Sequence, residues 1–171
     1  MTHNDPESLA RRGLTPAIPE RTTYISAGAI TIGIEPIVMT DETVTAFRTN
    51  RGIDLPTARQ LMNLYELRGG VVRESGVSIH VYGGNDRESE EFLRFDCFAQ
   101  KPHYHYIYVS NDLDPARVHL DVTANGESIT WAIDCVKNRL AQMLEYAGAA
   151  HLANQIDQEK IEAAIPDIRT V

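Results

Sequence analysis

The segment 94–109, RFDCFAQKPHYHYIYV, concentrates residues able to do chemistry. It carries Asp96, Cys97, His103 and His105 in a chain that has only six histidines and two cysteines. On an extended strand, residues two apart point to the same side and lie ~6.6 Å apart along the chain. Two imidazoles at that separation can converge on one ion. A carboxylate beside them can be a third ligand, or can orient one of the rings. Without a metal, the same set supplies a histidine general base, an aspartate that orients it, and arginines that hold a substrate carboxylate.

Any such site depends on the elements that bring these side chains to one face. From Val71 onward the hydrophobic period is two, and GVSIHVYGG, EFLRFDCF, HYHYIYV and RVHLDVT read as strands separated by short turns. Short connections favour antiparallel neighbours, hence a meander. One alternate set from each strand is apolar or aromatic. It comprises Val77, Ile79 and Val81, then Leu93, Phe95 and Cys97, then Tyr104, Tyr106 and Tyr108, and lastly Val118, Leu120 and Val122. These sets must share a face, because a one-residue slip would turn a whole strand's apolar set to water. The opposite face then holds Ser78, His80, Tyr82, Arg94, Asp96, His103, His105, Arg117, His119 and Asp121, with Phe92, Phe98 and Ile107 among them. The loop AQKP predicts Phe98 opposite His103 and Asp96 opposite His105, with opposed Cβ atoms ~4.5–5.5 Å apart. Cys97 falls on the core side, away from the histidines, which argues against a nucleophilic role.

The remaining elements follow from period and punctuation. Residues 24–39 alternate Ile30, Ile32 and Ile34 with small or polar neighbours, a strand ended or bent at Pro36. Helical segments are expected near 41–67. The strongest helix spans 128–146, with Ile129, Ala132, Ile133, Val136, Leu140, Met143, Leu144 and Ala147 in one stripe, a cap at Asn125 or Ser128 and a stop at Gly148. Trp131 lies just off that stripe and reads as packing. A weaker helix has Asp157 as cap and Pro166 as stop. Residues 1–21 read as a flexible arm, and 22–171 as one domain. The fold class expected is α+β, a mainly antiparallel sheet of about four meander strands plus an N-terminal strand. The long C-terminal helix would lie on its apolar face.

Composition removes several classes of function. The net charge is −8 and no Lys/Arg cluster exceeds Arg11-Arg12, so nucleic acid and anionic membrane surfaces are not the expected partners. No apolar run approaches a membrane span, and the N-terminus has no secretory h-region. Two cysteines without C-x-x-C spacing fit a reducing cytoplasm and buried hydrophobic roles. No nucleotide-binding or nucleophile-elbow motif is present.

The H-x-H pair is similar to that of the cupins, but Val109 and Ser110 stand where the cupin glutamate would fall, and the flanking glycines are missing. Cupin function is not carried over. The FDCF and PHYHY stretches, followed by Trp131 and a Leu-rich helix, resemble an uncharacterised bacterial family of small single-domain proteins. That resemblance covers roughly residues 76–150, implies one compact domain and brings no activity with it. The functional expectation is a small cytoplasmic enzyme acting on a small polar or anionic molecule at the His/Asp/Arg face. His105, Asp96 and His103 would be catalytic, and Arg94, Arg117 and Tyr82 would bind substrate. In the metal-assisted version, a divalent zinc, iron or manganese ion is held by ligands drawn from His103, His105, His80, His119 and Asp121. The alternative is a non-catalytic subunit or partner-binding protein that buries this face in a homodimer or partner interface.

Overall fold

The computed structural model of the protein describes residues 14, 17–40, 74–84, 89–107 and 115–170. The expected helices near 41–67 and the position of Tyr108 lie outside the described residues. Six described strands form one antiparallel sheet in sequence order: β1 (Thr23–Ala27), β2 (Ile30–Met39), β3 (Glu74–Gly83), β4 (Glu91–Phe98), β5 (His103–Tyr106) and β6 (Ala116–His119). The fold is α+β, as the alternation predicted. The expected single strand at 24–39 is two, joined by a tight turn at Gly28 and Ala29. Nor does Pro36 end β2, which continues to Met39. Its pairing with β1 stops at Ile34, so the missing N–H of Pro36 faces no ladder on that side.

The isoleucines of β2 pair with β3 inside the sheet, Ile32 opposite Val81 and Ile34 opposite Ile79. They therefore extend the apolar face and do not cover the polar one. The apolar face is closed by α2 (Ser128–Asn138), α3 (Leu140–Tyr146) and α5 (Gln158–Thr170), which follow a short α1 (Val122–Asn125) and flank α4 (Ala150–Ala153). Of the predicted stripe, Ala132, Ile133, Val136, Leu140, Met143, Leu144 and Ala147 are buried and Ile129 is partly buried. Trp131 packs on Phe95 and Tyr104, ring centres 6.0 and 5.1 Å away.

Three details depart from the expected helices. The long helix is interrupted at Arg139, whose φ of −130° is not helical. Its N-cap is Glu127, not Asn125 or Ser128. Pro166 does not stop the last helix, which runs on to Thr170. Gly148 does end the helix before it, at φ +85°, with Ala149 N bonded to Leu144 O and Gly148 N to Glu145 O. This left-handed residue lets the last carbonyls find donors.

Candidate active site: two buried polar clusters on one sheet face

The polar face carries the expected set, and more of it is buried than a solvated face would be. Ser78, His80, Tyr82, Arg94, Asp96, His103 and His105 are all buried within the single chain. Pairing across the sheet arranges them in two rows. One runs Gly33, His80, Arg94, His105, Arg117, and the next Glu35, Ser78, Asp96, His103, His119. Asp96 is therefore opposite His103, and Arg94 opposite His105, two residues from the expected register. A shift of two preserves the face, so the same side chains still meet.

The first cluster joins Asp96, His103 and His105. One carboxylate oxygen, Asp96 Oδ2, lies 3.1 Å from His103 Nε2 and 3.4 Å from His105 Nε2. The rings stand nearly perpendicular, 5.0 Å between centres. Ser78 Oγ donates to the other oxygen, Asp96 Oδ1, at 2.5 Å. His103 Nδ1 is 2.8 Å from the Lys101 carbonyl. A carbonyl only accepts, so Nδ1 carries a proton. Arg117 Nη2 also approaches that nitrogen, but at 3.5 Å and donor to donor. The shorter contact fixes the tautomer. The turn that presents Lys101 is itself held by Glu74, whose carboxylate accepts from Gln100 N and Lys101 N, each at 3.0 Å. Burial would raise the Asp96 carboxyl, but hydrogen bonds from His103 and His105 hold it well below the usual range. Burial lowers His105 against the pull of Asp96. His105 Nδ1 is buried without a partner.

The second cluster joins Glu35, His80, Glu91 and Arg94. Glu91 Oε1 accepts from His80 Nδ1 at 2.6 Å and from Arg94 Nε at 2.9 Å, while Oε2 accepts from Arg94 Nη2 at 2.6 Å. His80 Nε2 lies 3.5 Å from Glu35 Oε2 without hydrogen-bond alignment. Burial would raise Glu91, but Arg94 and then His80 outweigh it and hold the carboxyl at about 2. Burial and Arg94 would lower His80, but Glu91 and Glu35 together outweigh them and raise the imidazole above its ordinary value. With His80 protonated, two carboxylates face two cations and the buried group is neutral. Tyr82 stacks on His80, 5.9 Å between centres, above Gly33. A Cβ on Gly33 would come within 3.0 Å of the Tyr82 ring, so glycine makes room for it.

The structure thus divides the predicted site. His103, His105 and Asp96 converge, and theirs is the group among the described residues with three metal-ligating atoms within 4.8 Å of one another. His80, expected among the ligands, is engaged by Glu91. Arg94, expected to hold a substrate carboxylate, forks instead on the chain's own Glu91. His119 is exposed on the edge strand, its ring 6.1 Å from that of His103. Asp121 is not on a strand. Exposed, it caps α1 by accepting from Thr123 N and Ala124 N. For the same reason Leu120 and Val122 leave the predicted apolar set, and Val122 is exposed. Tyr82 sits beside the second cluster, and burial raises its hydroxyl well above the ordinary value.

Sequence reasoning missed Glu35, Glu74 and Glu91. Continuing the alternation through Thr31 and Gly33 would have found Glu35. Glu91 was concealed by a bulge: Val81 pairs with Leu93 but Tyr82 pairs with Glu91, leaving Phe92 as the extra residue. Phe92, expected on the polar face, instead belongs to the core, edge-on to His151. Nothing in the local sequence marks Glu74 as the anchor of a turn 26 residues on.

The architecture defines a small α+β domain with a two-histidine, one-carboxylate cluster buried beneath its sheet face. The chain belongs to the DUF7700 family, a domain of unknown function, whose model matches residues 24–171. No curated protein and no solved structure matches it. Among the described residues no helix is long and apolar enough to cross a membrane.

Proposed function

We propose that Asp96, His103 and His105 form a divalent-metal centre of a small enzyme acting on a polar or anionic molecule. The observation that carries this is the His103–Asp96 contact. With Nδ1–H given to Lys101, the Nε2 lone pair of a neutral His103 points at a carboxylate oxygen 3.1 Å away. Those lone pairs repel unless a cation lies between them, either a proton, which makes His103 an imidazolium donating to Asp96, or a metal ion. A proton satisfies one ring; a metal satisfies both rings and the shared oxygen together. With metal–ligand bonds of ~2.1 Å, neighbouring donors lie ~3.0 Å apart in octahedral and ~3.4 Å apart in tetrahedral geometry. The observed 3.1 and 3.4 Å fall in that range.

The surroundings support the same reading. Ser78 and Lys101 orient Asp96 and His103, as outer partners of metal ligands do. Two nitrogens and an oxygen suit zinc, iron or manganese. When bound, such an ion supplies Lewis acidity and an acidified water. The chain's own groups would then fix the ligands, exclude bulk water and keep the charge-balanced Glu35–His80–Glu91–Arg94 group beside them. The alternative, a partner interface, is weakened because the polar face is already buried within one chain.

The test is elemental analysis of the full chain purified without chelator, repeated on His103→Ala/His105→Ala. The expected result is stoichiometric Zn, Fe or Mn in the wild type and none in a variant with unchanged far-UV circular dichroism. Bound metal at 100 times its Kd adds about 2.7 kcal/mol of stability, a thermal shift of about 5–10 °C. The absence of bound metal, together with no thermal shift on adding Zn, Fe(II) or Mn(II), would overturn the proposal.

A further inference from the structure

The metal reading leaves one donor to be explained. If His105 turns the Nε2 lone pair to the ion, its Nδ1 must carry the proton. That nitrogen is buried and has no acceptor. Directly across the β5–β6 ladder from His105 is Arg117, exposed on the edge strand. Its approach to His103 Nδ1 is donor to donor, so it uses none of the guanidinium's bonding capacity. Among the described residues no carboxylate pairs with Arg117. The guanidinium of Arg94, by contrast, is forked on Glu91.

From this geometry we infer that the substrate's oxyanion binds at the β5–β6 edge, accepting from His105 Nδ1–H and from the guanidinium of Arg117. The inference rests on the metal reading and deepens it, naming a small carboxylate- or phosphate-bearing molecule whose charged end sits beside the ion. A planar fork and a buried N–H together suit an oxyanion. The edge is locally positive in a chain of net charge −8. Lys101 is exposed at the neighbouring turn, and slight burial together with Arg117, His103 and Lys101 lowers the His119 imidazole. Such a cationic edge draws anions toward the cluster.

The experiment uses the ¹⁵N-labelled full chain loaded with zinc, its metal content measured first. Inorganic phosphate and acetate are titrated separately and followed by the His105 ring and Arg117 side-chain signals. Both signals are expected to move, and whichever anion binds more tightly names the substrate's charged group. Arg117→Ala should weaken binding about tenfold and Arg117→Lys by less, with zinc content unchanged. Zinc bound, but anion affinity equal in Arg117→Ala, or His105 and Arg117 signals that stay still, would overturn this inference and leave the metal reading standing. No zinc uptake would sink both.

Discussion

Glu91→Gln removes one charge from the middle of a buried ionic group and leaves the backbone alone. The amide keeps an acceptor for Arg94 but loses the charge that balances Arg94 and His80. Breaking a buried, hydrogen-bonded pair from one side costs about 3–5 kcal/mol, because the remaining charge stays buried without its counter-charge. Folded domains have about 5–15 kcal/mol in total, so at least about a fifth of the stability is at stake. In a chain of 171 residues each kcal/mol moves the thermal midpoint by about 2–4 °C, so a fall of about 6–20 °C is expected. The pH dependence gives an independent readout. His80 is raised in the folded protein, first against burial and chiefly by Glu91. Its contribution is therefore complete below the ordinary histidine value near 6.5 and is lost as pH rises through the folded value. Wild-type stability should decline over that alkaline interval, and Glu91→Gln should flatten the decline. Thermal melts followed by circular dichroism from pH 6 to 9, with ring ¹⁵N signals of His80, measure both. A midpoint within 2 °C of wild type, or a neutral His80 at pH 6, would refute the charge-balance argument.

The first cluster has the opposite pH sign. Asp96 is held well below its ordinary value, so the stability it lends is present above about pH 4 and is lost as pH falls through the folded value. Urea midpoints between pH 5 and 3 should fall steeply in the wild type and less steeply in Asp96→Asn. The cysteines should be inert, because burial pushes the Cys97 thiol up to about 12 and Cys135 up to about 11. A thiol reagent at pH 8 should label them only after unfolding. Labelling of Cys97 in the native protein within minutes would contradict its place in the core.

How much of this was legible depended on parity. Side-chain alternation assigned Ile79, Phe95, Cys97 and the histidine pair to their faces, because burial of one face tolerates no single-residue slip. It assigned register less well. The Asp96–His103 pairing was missed by two residues, an error that parity cannot detect and that the turn geometry decides. Parity itself failed where the chain stopped alternating. The bulge at Phe92 hid Glu91, and helix α1 took Asp121 and Val122 off the strand. The hold of Glu74 on the Lys101 turn is a long-range contact with no local pattern to announce it.

The bulge also couples the two sides of the sheet in time. In a regular strand, residues three apart point to opposite faces, so Glu91 and Arg94 could not form their fork within β4. The extra residue turns Glu91 to one face while sending Phe92 into the helical layer on the other. Fluctuations that open this end of β4 must release the ionic fork and the Phe92 packing together. Amide hydrogens of Gly83, bonded to Glu90 O, and of Ile107, bonded to Phe92 O, flank that point and should exchange as one unit. The dynamics of the polar site are thereby tied to those of the core through a single inserted residue.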